Sequence, residues 1–445
     1  MRFSWNVGIL ILFRVIVYAC FVGFEGEYLT DDSGTYLRPA DNLREHHVFS
    51  VSDVPPFSPY IFRTPGYPAF LAFLQELGMA SPYWATFCQE LIYGLSVFLF
   101  YRYGKPFFGE KLARIGVIFL LLEPGGLSIP KTIMSETLFL PFFFGGLFAI
   151  GYYLRFANWR YLVLSGILMG VAAYIRPTIL YFPAVAALIL VIFAARNTKR
   201  WLHTAVLLVA FTVVISPWLL RNYYYFGKLV MSSSQSVTLA FHVPFVWESA
   251  KDRPFMIGQE MIKAQVKQAV EEKARELQRQ LNTAEISELE QQIALIELKK
   301  YPWDYFKQWC YGFLKTINGG NLFEVYHSFR YRADRLHFFQ IKAPDFKEKV
   351  LTFLKNQDYF YILEALLRVL IAFFALCGAV WIVVKKDCFF WVIMLANFYF
   401  ICVAGPMGLA RYRFPVEVFW FIQAYMGFWG MLTLIANRKP VIIDK

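Results

Sequence analysis

Charged residues and paired cysteines are both scarce in this chain of 445 residues. Only 17% of the residues are charged and 58% are hydrophobic, with a mean hydropathy of +0.44. A soluble protein of this length seldom has so few charges, because charged side chains are mostly exposed. The six cysteines show no CxxC or other paired spacing, so neither a disulfide framework nor a zinc site is indicated. We expect no cofactor; a divalent metal ion is compatible with the sequence but is not indicated by it.

The apolar residues form stretches that approach the ~20 residues needed to cross a bilayer. The composition therefore predicts an all-α polytopic membrane protein with about ten transmembrane helices. The first apolar stretch is not followed by a small-residue cleavage site, so we expect it to be retained as a span. The predicted spans are 5–24, 83–103, 112–123, 134–154, 161–175, 178–195, 202–220, 359–384, 388–404 and 413–435.

The net charge of +12 is distributed in agreement with these spans. If the N-terminus is cytoplasmic, every predicted inner segment is basic, which is the usual bias of cytoplasmic loops. Both termini are then inside, and we expect a bacterial cytoplasmic membrane protein surrounded by lipid. No basic run stands in a soluble domain, so we expect no nucleic-acid partner. The predicted parts are a transmembrane module (1–220) with a first outer loop (25–82), an outer helical region (221–358) and a second transmembrane module (359–445).

The outer region 221–358 contains a charged stretch with helical spacing. Ile262, Val266 and Val270 fall on one face, which predicts an amphipathic helix. Asn282 followed by Glu285 predicts a capping box at the start of a second helix. We therefore expect a helical hairpin outside the membrane, which is either a solvated spacer or an acceptor-binding element.

The first outer loop combines acids with an arginine. Asp31 and Asp32 precede Ser33-Gly34 and Tyr36, and Arg63 begins the segment Arg-Thr-Pro-Gly-Tyr67-Pro. A carboxylate can accept a proton from a nucleophile, and a guanidinium can hold a phosphate. Aspartate before Ser-Gly is also typical of a helix N-cap or a turn, so both interpretations stay open.

Further charged residues fall on the same predicted face of the membrane. Outer loops usually lack basic residues, so arginines there need a reason. An anionic ligand would supply one, because arginine forks match phosphate oxygens; lipid head groups and ion pairs are the alternative. Within the spans, charge is costly, so we expect Arg14 to pair with Glu90 and Glu364 with Arg368. The outer-face residues are Lys131, Glu136, Arg176, Arg221, Arg411 and Arg413.

In this order, the motifs resemble the GT-C superfamily of membrane glycosyltransferases. The nearest group looks like the bacterial relatives of protein O-mannosyltransferases and the lipid A aminoarabinose transferase. One departure is that Ser33, and not Glu, follows Asp32, while the extra acid is Asp31. The outer hairpin is not supplied by the family pattern. The matching segments are Asp32-Ser33 with Tyr36, Ala40 and Leu43; 63–68; 135–137; 176–177; 217–218 with 221–222; and 411–415.

The resemblance implies a GT-C-like fold with juxtamembrane helices on the outer face. It also implies an inverting glycosyltransferase that uses a polyprenyl-phosphate sugar and a lipid, glycan or protein acceptor. Asp32 would be the base, while Asp31 or Glu136 would orient a substrate. Tyr36, Tyr67 and Lys131 would help to position substrates. Arg63, Arg176, Arg221, Arg411 and Arg413 would bind the donor phosphate. The alternative is a flippase or transporter of lipid-linked sugars, which would grip phosphate with the same arginines.

Overall fold

A computed structural model describes residues 28–52, 54–193, 199–319 and 359–435, together with residues 8, 9, 11, 12, 14–16, 18, 19, 348 and 352. All regular secondary structure in these residues is helical, as the sequence predicts. Most of the predicted span 5–24 lies outside the described residues. So do Arg196, Arg438, Lys439 and Lys445, which are basic residues of the predicted inner segments.

Fifteen α-helices can be given bounds in the described part of the chain. They are α1 (Gly34–His46), α2 (Gly66–Glu76), α3 (Pro82–Leu122), α4 (Pro124–Ser128), α5 (Glu136–Phe156), α6 (Arg160–Ile175), α7 (Phe182–Phe193), α8 (Arg200–Phe226), α9 (Ser234–Lys251), α10 (Phe255–Leu277), α11 (Thr283–Lys300), α12 (Pro302–Asn318), α13 (Tyr359–Lys385), α14 (Cys388–Val403) and α15 (Glu417–Ile435).

Four of the described helical segments are long and apolar enough to cross a membrane. They are Glu136–Phe156, Trp201–Phe226, Leu363–Lys385 and Phe414–Ile435. A fifth span results if Pro82–Leu122 and Pro124–Lys131, which meet at a bend of 52°, are counted together as one broken span. The shorter apolar helices α6, α7 and α14 coincide with other predicted spans. A polytopic membrane protein is thus confirmed, while the count of ten spans stays a prediction.

Helix α3 joins two stretches that the sequence predicts as separate spans. It runs for 41 residues, and Gly109 interrupts its helical backbone with φ 75° and ψ 164°. A left-handed backbone angle of this kind is open to glycine and costly for other residues. Two helical stretches thus meet at a sharp break at Gly109, which lies between the predicted spans 83–103 and 112–123.

The core of the helix bundle is aromatic. Phe143 of α5 lies 5.1 Å from Phe400 of α14 and 6.0 Å from Phe182 of α7, measured between ring centroids. Phe100 of α3 and Phe419 of α15 are also fully buried, with centroids 5.9 Å apart. Ring contacts at these distances add to the stabilisation from burial. The core thus joins both predicted transmembrane modules.

Buried charges within the bundle are paired, as predicted. Arg14 and Glu90 form an ion pair of 2.8 Å. Arg368 lies 3.5 Å from Glu364, but it also pairs with Glu123 at 3.2 Å and with Glu417. The predicted pair is therefore part of a larger network that ties α13 to α15 and to the end of α3.

The outer helical region forms a small domain of α9, α10, α11 and α12. Asn282 and Glu285 form the predicted capping box, and α10 and α11 pack together as a hairpin. The hairpin does not stand alone, because Ile262 and Leu298 are buried against Trp247 of α9. The predicted outer region continues to residue 358, but residues 320–347 lie outside the described residues.

Candidate functional site

The candidate site lies on one side of the bundle, where α5 and α15 begin and where α6 and α8 end. We call this side the site face. At its centre, the Asp32 carboxylate is held between two arginines. Its Oδ1 accepts a hydrogen bond of 2.6 Å from Arg63, and its Oδ2 accepts one of 2.7 Å from Arg411. Both arginines and the aspartate keep 17–29% of their side-chain surface exposed, so solutes can reach them.

The two guanidinium groups determine the ionisation of Asp32. Partial burial favours the neutral acid, but Arg63 and Arg411 outweigh burial and hold the pKa of the carboxyl below its ordinary value. Asp32 is therefore a charged and weak base in this arrangement.

The turn before α1 directs the Asp32 side chain towards the arginines. The Ser33 hydroxyl donates to the Ile133 carbonyl at 3.1 Å and accepts from the Thr30 amide at 2.8 Å. The Asp32 carbonyl accepts from the Thr35 amide at 3.0 Å, which closes the turn. Since the Asp32 carboxylate binds arginines, it is not the cap of α1. Ser33, which departs from the acidic family pattern, holds the turn against the loop before α5.

The segment from Arg63 to Pro68 is anchored to the end of α6. The Thr64 hydroxyl donates to the Ile175 carbonyl at 3.2 Å. A Cβ on Gly66 would lie 2.7 Å from the Tyr174 carbonyl oxygen, so this close approach requires glycine. These contacts place Arg63, whose Nε also donates to the Thr35 hydroxyl at 2.9 Å.

Tyr36 links this exposed cluster to a second, buried one. The Arg63 guanidinium lies over the Tyr36 ring, 4.5 Å from its centroid. The Tyr36 hydroxyl lies 3.4 Å from the Ser135 hydroxyl, and its ring meets Tyr67 edge-on with a centroid distance of 5.0 Å. Tyr67 is fully buried and donates to Gln89. Tyr36 thus packs between Arg63 and Ser135, with Tyr67 buried behind it.

The buried cluster consists of Glu136 and Arg176. Glu136 is the first residue of α5, where a carboxylate also interacts favourably with the helix dipole. It pairs with Arg176, whose guanidinium also donates to Ser135 at 3.3 Å. Glu136 Oε2 is buried without a hydrogen-bond partner among the described residues. This oxygen therefore keeps its capacity to accept a hydrogen bond.

Arg411 lies in a chain of three 3₁₀ turns between α14 and α15. Burial works to lower the pKa of its guanidinium, but Glu136, Tyr412 and Asp32 keep it above its ordinary value. Its Nε atom is buried and has no hydrogen-bond partner in the described residues. Arg411 therefore joins the exposed and buried clusters electrostatically and has a free donor.

Two predicted arginines on the site face are engaged elsewhere. Arg221 donates to the Tyr60 carbonyl at 2.9 Å and lies 4.7 Å from the Trp218 ring centroid. Arg413 is fully buried; it pairs with Glu417 and donates to backbone carbonyls at the end of α12, including that of Gly319 at 3.0 Å. Neither guanidinium contacts Asp32.

Asp31 and Lys131 also lie apart from the cluster. The Asp31 side chain is exposed, and it makes no hydrogen bond or ion pair with the described residues. Lys131 ends a 3₁₀ turn whose flanking carbonyls, those of Pro130 and Thr132, accept hydrogen bonds from Gln89. The loop of Lys131 is thus fastened to α3. In the described ranges, no three His, Cys, Asp or Glu side chains come together as a metal site.

Sequence reasoning missed Thr35, Ser135 and Glu417. Thr35 and Ser135 each contact a site arginine, and Glu417 holds Arg413. Ser135 belongs to the motif 135–137 and directly precedes Glu136, so the sequence did contain a signal for it. Thr35 carries no such signal, because its partner Arg63 lies 28 residues away. Glu417 follows Arg413 by four residues, so that spacing was a usable signal for this pair.

A family model confirms the resemblance over part of the chain. Residues 62–220 match the model described as dolichyl-phosphate-mannose-protein mannosyltransferase. The match is with a glycosyltransferase family. The range includes Arg63, Glu136 and Arg176 but not Asp32 or Arg411. This finding supports a glycosyltransferase of the GT-C superfamily.

Solved structures of two related kinds are similar to the chain at low identity. ArnT from Cupriavidus metallidurans bound to undecaprenyl phosphate is 14% identical, with a TM-score of 0.43; 98% of this chain and 80% of ArnT are covered. The archaeal oligosaccharyltransferase AglB from Archaeoglobus fulgidus, in complex with an inhibitory peptide and a dolichol-phosphate, is 14% identical with a TM-score of 0.49. That similarity covers 98% of this chain and 51% of AglB, so the chain spans about half of AglB. No curated protein sequence matches the chain.

Proposed function

We propose that this protein transfers a sugar from a polyprenyl-phosphate donor to an acceptor hydroxyl with inversion at the anomeric carbon. The observation that carries the proposal is the carboxylate of Asp32 held between Arg63 and Arg411, above the buried Glu136–Arg176 pair. A base beside several guanidinium groups suits a reaction whose leaving group is a phosphate. The family-model match supports the same class of reaction.

The leaving phosphate needs positive charge rather than a proton. In the displacement, the acceptor oxygen forms a bond to the anomeric carbon while the bond from that carbon to the phosphate oxygen breaks. The bonding electrons leave with the phosphate. Arg63 and Arg411 lie where they can stabilise this charge, since preorganised donors act most strongly where charge develops. Arg176 lies behind them and is occupied by Glu136.

Asp32 would take the proton of the acceptor hydroxyl. While it is paired with Arg63 and Arg411, it is a weak base, because both arginines lower its pKa. A donor phosphate that binds Arg63 and Arg411 partly neutralises their positive charge. The pKa of the Asp32 carboxyl then rises, so the carboxylate becomes a stronger base. The base is thus strengthened when a donor is present. If the acceptor is itself a phosphate, Asp32 would mainly position it.

The other predicted residues receive narrower roles in this proposal. Glu136 offers its unpartnered oxygen to a hydroxyl of the sugar or acceptor. Tyr36 supports the Arg63 guanidinium through its ring, and Tyr67 packs behind Tyr36. We assign Arg221 and Arg413 to holding the fold, because their donors are engaged by backbone carbonyls. By the distribution of basic residues, we place the protein in a bacterial cytoplasmic membrane with the site facing the periplasm and both termini in the cytoplasm.

The test is an assay for free polyprenyl phosphate, in which the purified protein is given a panel of polyprenyl-phosphate sugars and membrane-derived acceptors. We expect the parent protein to release polyprenyl phosphate and Asp32→Asn to lose about 10²–10⁴-fold of the rate. Asp41→Asn on the exposed face of α1 is the matched control and should keep full activity. Size-exclusion profiles should be the same for all three proteins.

Two results would contradict the proposal. Full activity of Asp32→Asn would remove Asp32 from catalysis. A donor that is moved across vesicle membranes but stays intact would identify a flippase instead.

A further inference from the structure

We propose that the outer domain binds an amphipathic helix of a partner protein in a groove between α10 and α11. The partner helix has one apolar face, acidic residues along one edge, and basic or hydroxyl side chains along the other edge. Nothing in the proposed chemistry uses this groove. The inference is therefore independent of the proposed function, and it is tested without an activity assay.

The groove is lined by apolar side chains of three helices. Ala240 of α9 and Ile262 of α10 are buried at its base. Val266 and Val270 of α10 and Ile286 of α11 line it and are only partly buried. Its volume is about 330 Å³. Ligand-binding pockets typically measure roughly 300–1,000 Å³, and apolar surface with a polar rim is typical of interaction sites.

The shape of the groove suits a helix. Its lining residues on α10 run from Gln259 to Val270, eleven residues apart. This corresponds to about 16 Å, or about three helical turns. Because α10 and α11 both pack on α9, a helix laid between them would complete a four-helix arrangement. The described residues contain no strand to which an extended peptide could add, so we expect the helix-in-groove mode of binding.

Both sides of the groove carry charges without partners. Lys263 and Lys267 of α10 are exposed, and they make no hydrogen bond or ion pair with the described residues. Across the groove, Glu290 of α11 is half-buried and also has no partner in the described part of the chain; burial raises the pKa of its carboxyl. These charges therefore have no structural role in the outer domain itself.

The spacing of these charges determines the chemistry of the partner. Lys263 and Lys267 are four residues apart, so they are neighbours on one side of α10. Acids at the same spacing on a bound helix would meet both lysines. A lysine or hydroxyl on its other edge would donate to Glu290. Complementary charges of this kind select the partner and fix its orientation.

The surroundings of the groove favour a protein over a lipid chain. On α10, the exposed Gln268 donates to Glu272 at 2.8 Å, and on α11 Gln291 and Gln292 are exposed. Polar side chains of this kind belong in water, because hydrocarbon offers them no hydrogen bonds. A lipid chain also offers no donor to Glu290, whereas the edge of a helix does.

The groove is held beside the candidate site. The Ser233 amide, just before α9, donates to the Ile61 carbonyl at 3.0 Å. Ala284, at the start of α11, belongs to one apolar cluster with Ile61. These contacts attach α9 and α11 to the segment that leads directly to Arg63. A helix bound in the groove is therefore held at the site face.

The first experiment measures the binding of two labelled helical peptides to the full-length protein in phosphatidylcholine nanodiscs by fluorescence anisotropy. Both peptides have the same leucine face and serines along one edge. The acidic peptide has glutamates at four-residue spacing along the other edge, and the basic peptide has lysines there. We expect the parent to bind the acidic peptide at least about tenfold more tightly, because like charges across an interface repel. Empty nanodiscs give the background.

Charge reversal in the groove should invert this preference. Lys263→Glu with Lys267→Glu should bind the basic peptide more tightly than the acidic one. Both lysines are exposed, so the variant should keep the size-exclusion profile of the parent. The matched control, Lys273→Glu with Lys299→Glu, changes the net charge equally outside the groove and should bind like the parent.

Filling the groove should prevent binding. Val266→Trp places a large ring among the lining residues, so it should abolish binding of the acidic peptide. Gln292→Trp adds the same ring on an exposed polar position of α11, outside the groove, and should bind like the parent.

The second experiment identifies the natural occupant. A photoreactive side chain at Val270 of the full-length protein is activated in membranes of the source cell, and Gln292 carries it in the control. We expect a protein adduct at Val270 whose cross-linked peptide has helical apolar spacing and an acidic edge. Lys263→Glu with Lys267→Glu should remove this adduct.

Several results would overturn the inference. In the first experiment, these are no binding of the acidic peptide, or equal binding of both peptides to the parent. In the second, they are no protein adduct, an adduct to lipid alone, an adduct to a second copy of this chain, or an adduct that persists after charge reversal. A parent protein that binds the acidic peptide but releases no polyprenyl phosphate would contradict the proposed function alone.

Discussion

Asp32 is distinguished from Asp31 by the charges around it. Both acids precede the same Ser-Gly turn, and the sequence offers only the spacing to Tyr36 to separate them. In the structure, Asp32 contacts Arg63 and Arg411, whereas Asp31 is exposed. The spacing to Tyr36 favours Asp32 because it matches the motif of the family that the chain resembles. The arginine contacts are not local, so no spacing rule predicts them.

Replacing the arginines by lysine tests whether the guanidinium shape matters. Arg411→Lys and Arg63→Lys keep the charge but lose the forked geometry that suits phosphate. A hydrogen bond to a charged group contributes about 1.5–3 kcal/mol. We therefore expect the rate at low donor concentration to fall roughly 10- to 100-fold, because each 1.4 kcal/mol is tenfold. Initial rates measured over a range of donor concentrations check this.

The control for these variants is Arg44→Lys. Arg44 lies near the end of α1 and pairs only with its neighbour Glu45 in the described residues. It should keep the parent rate. Parent-like kinetics for Arg411→Lys would mean that the fork does not hold the phosphate.

At the scale of elements, the outer domain is the part in which local sequence rules work best. Asn282 and Glu285 form the capping box that their spacing predicts, since this motif depends only on neighbouring residues. The helices that pack against the hairpin, α9 and α12, were not predictable, because their contacts with it depend on tertiary packing and not on local sequence spacing. Helical spacing also does not tell which apolar residues are buried. Leu277 of α10 and Ile296 of α11 follow the apolar spacing of their helices but are 41% and 57% exposed.

His242 joins the outer domain to the site loop and is expected to make the fold sensitive to acid. It is buried on α9 beside Gly405, and its Nδ1 lies 3.4 Å from the Tyr305 hydroxyl. Burial lowers the pKa of the His242 imidazole from 6.5 to about 4. The unfolded chain then binds one more proton between these values, so stability falls as the pH drops from 6.5 to 4.

The loss attributable to His242 is on the order of 3 kcal/mol at pH 4, since one pKa unit corresponds to about 1.4 kcal/mol. Thermal unfolding followed from pH 7 to 4 should therefore show a steeper decline for the parent protein than for His242→Gln. His46→Gln, on the exposed end of α1, should decline like the parent. Identical slopes for the parent and His242→Gln would refute this assignment.

At the scale of the whole molecule, a network of buried charges joins the two transmembrane modules. Arg368 of α13 contacts Glu123 after α3 and Glu417 of α15, and Glu417 in turn holds Arg413. The four-residue spacing of Glu364 and Arg368 on one helix predicts their pair. The contacts of Arg368 with Glu123 and Glu417 are not predictable in this way, because these residues lie far from Arg368 in the sequence. Arg413 was expected to bind phosphate, because the charge distribution predicts its side of the membrane but not its burial.

Removing Arg368 should destabilise the protein strongly. Arg368→Met leaves up to three carboxylates without their buried partner, and breaking a buried pair in this way costs about 3–5 kcal/mol. Lys228→Met, which removes a surface pair with Glu288, should cost less than about 1 kcal/mol. Unfolding in mixed detergent micelles compares the two variants with the parent. Equal stability of the two variants would show that the network does not hold the modules together.

Composition and hydropathy alone determine that this protein is helical and membrane-embedded, because the burial of backbone groups in lipid leaves few other solutions. The order of motifs also indicates the superfamily of the chain, and the family model supports this over residues 62–220. Only the tertiary structure decides which arginines reach Asp32 and which hold the fold. Hydropathy and helical spacing are local properties, whereas a contact between Asp32 and Arg411 depends on how the first outer loop packs against the turns before α15.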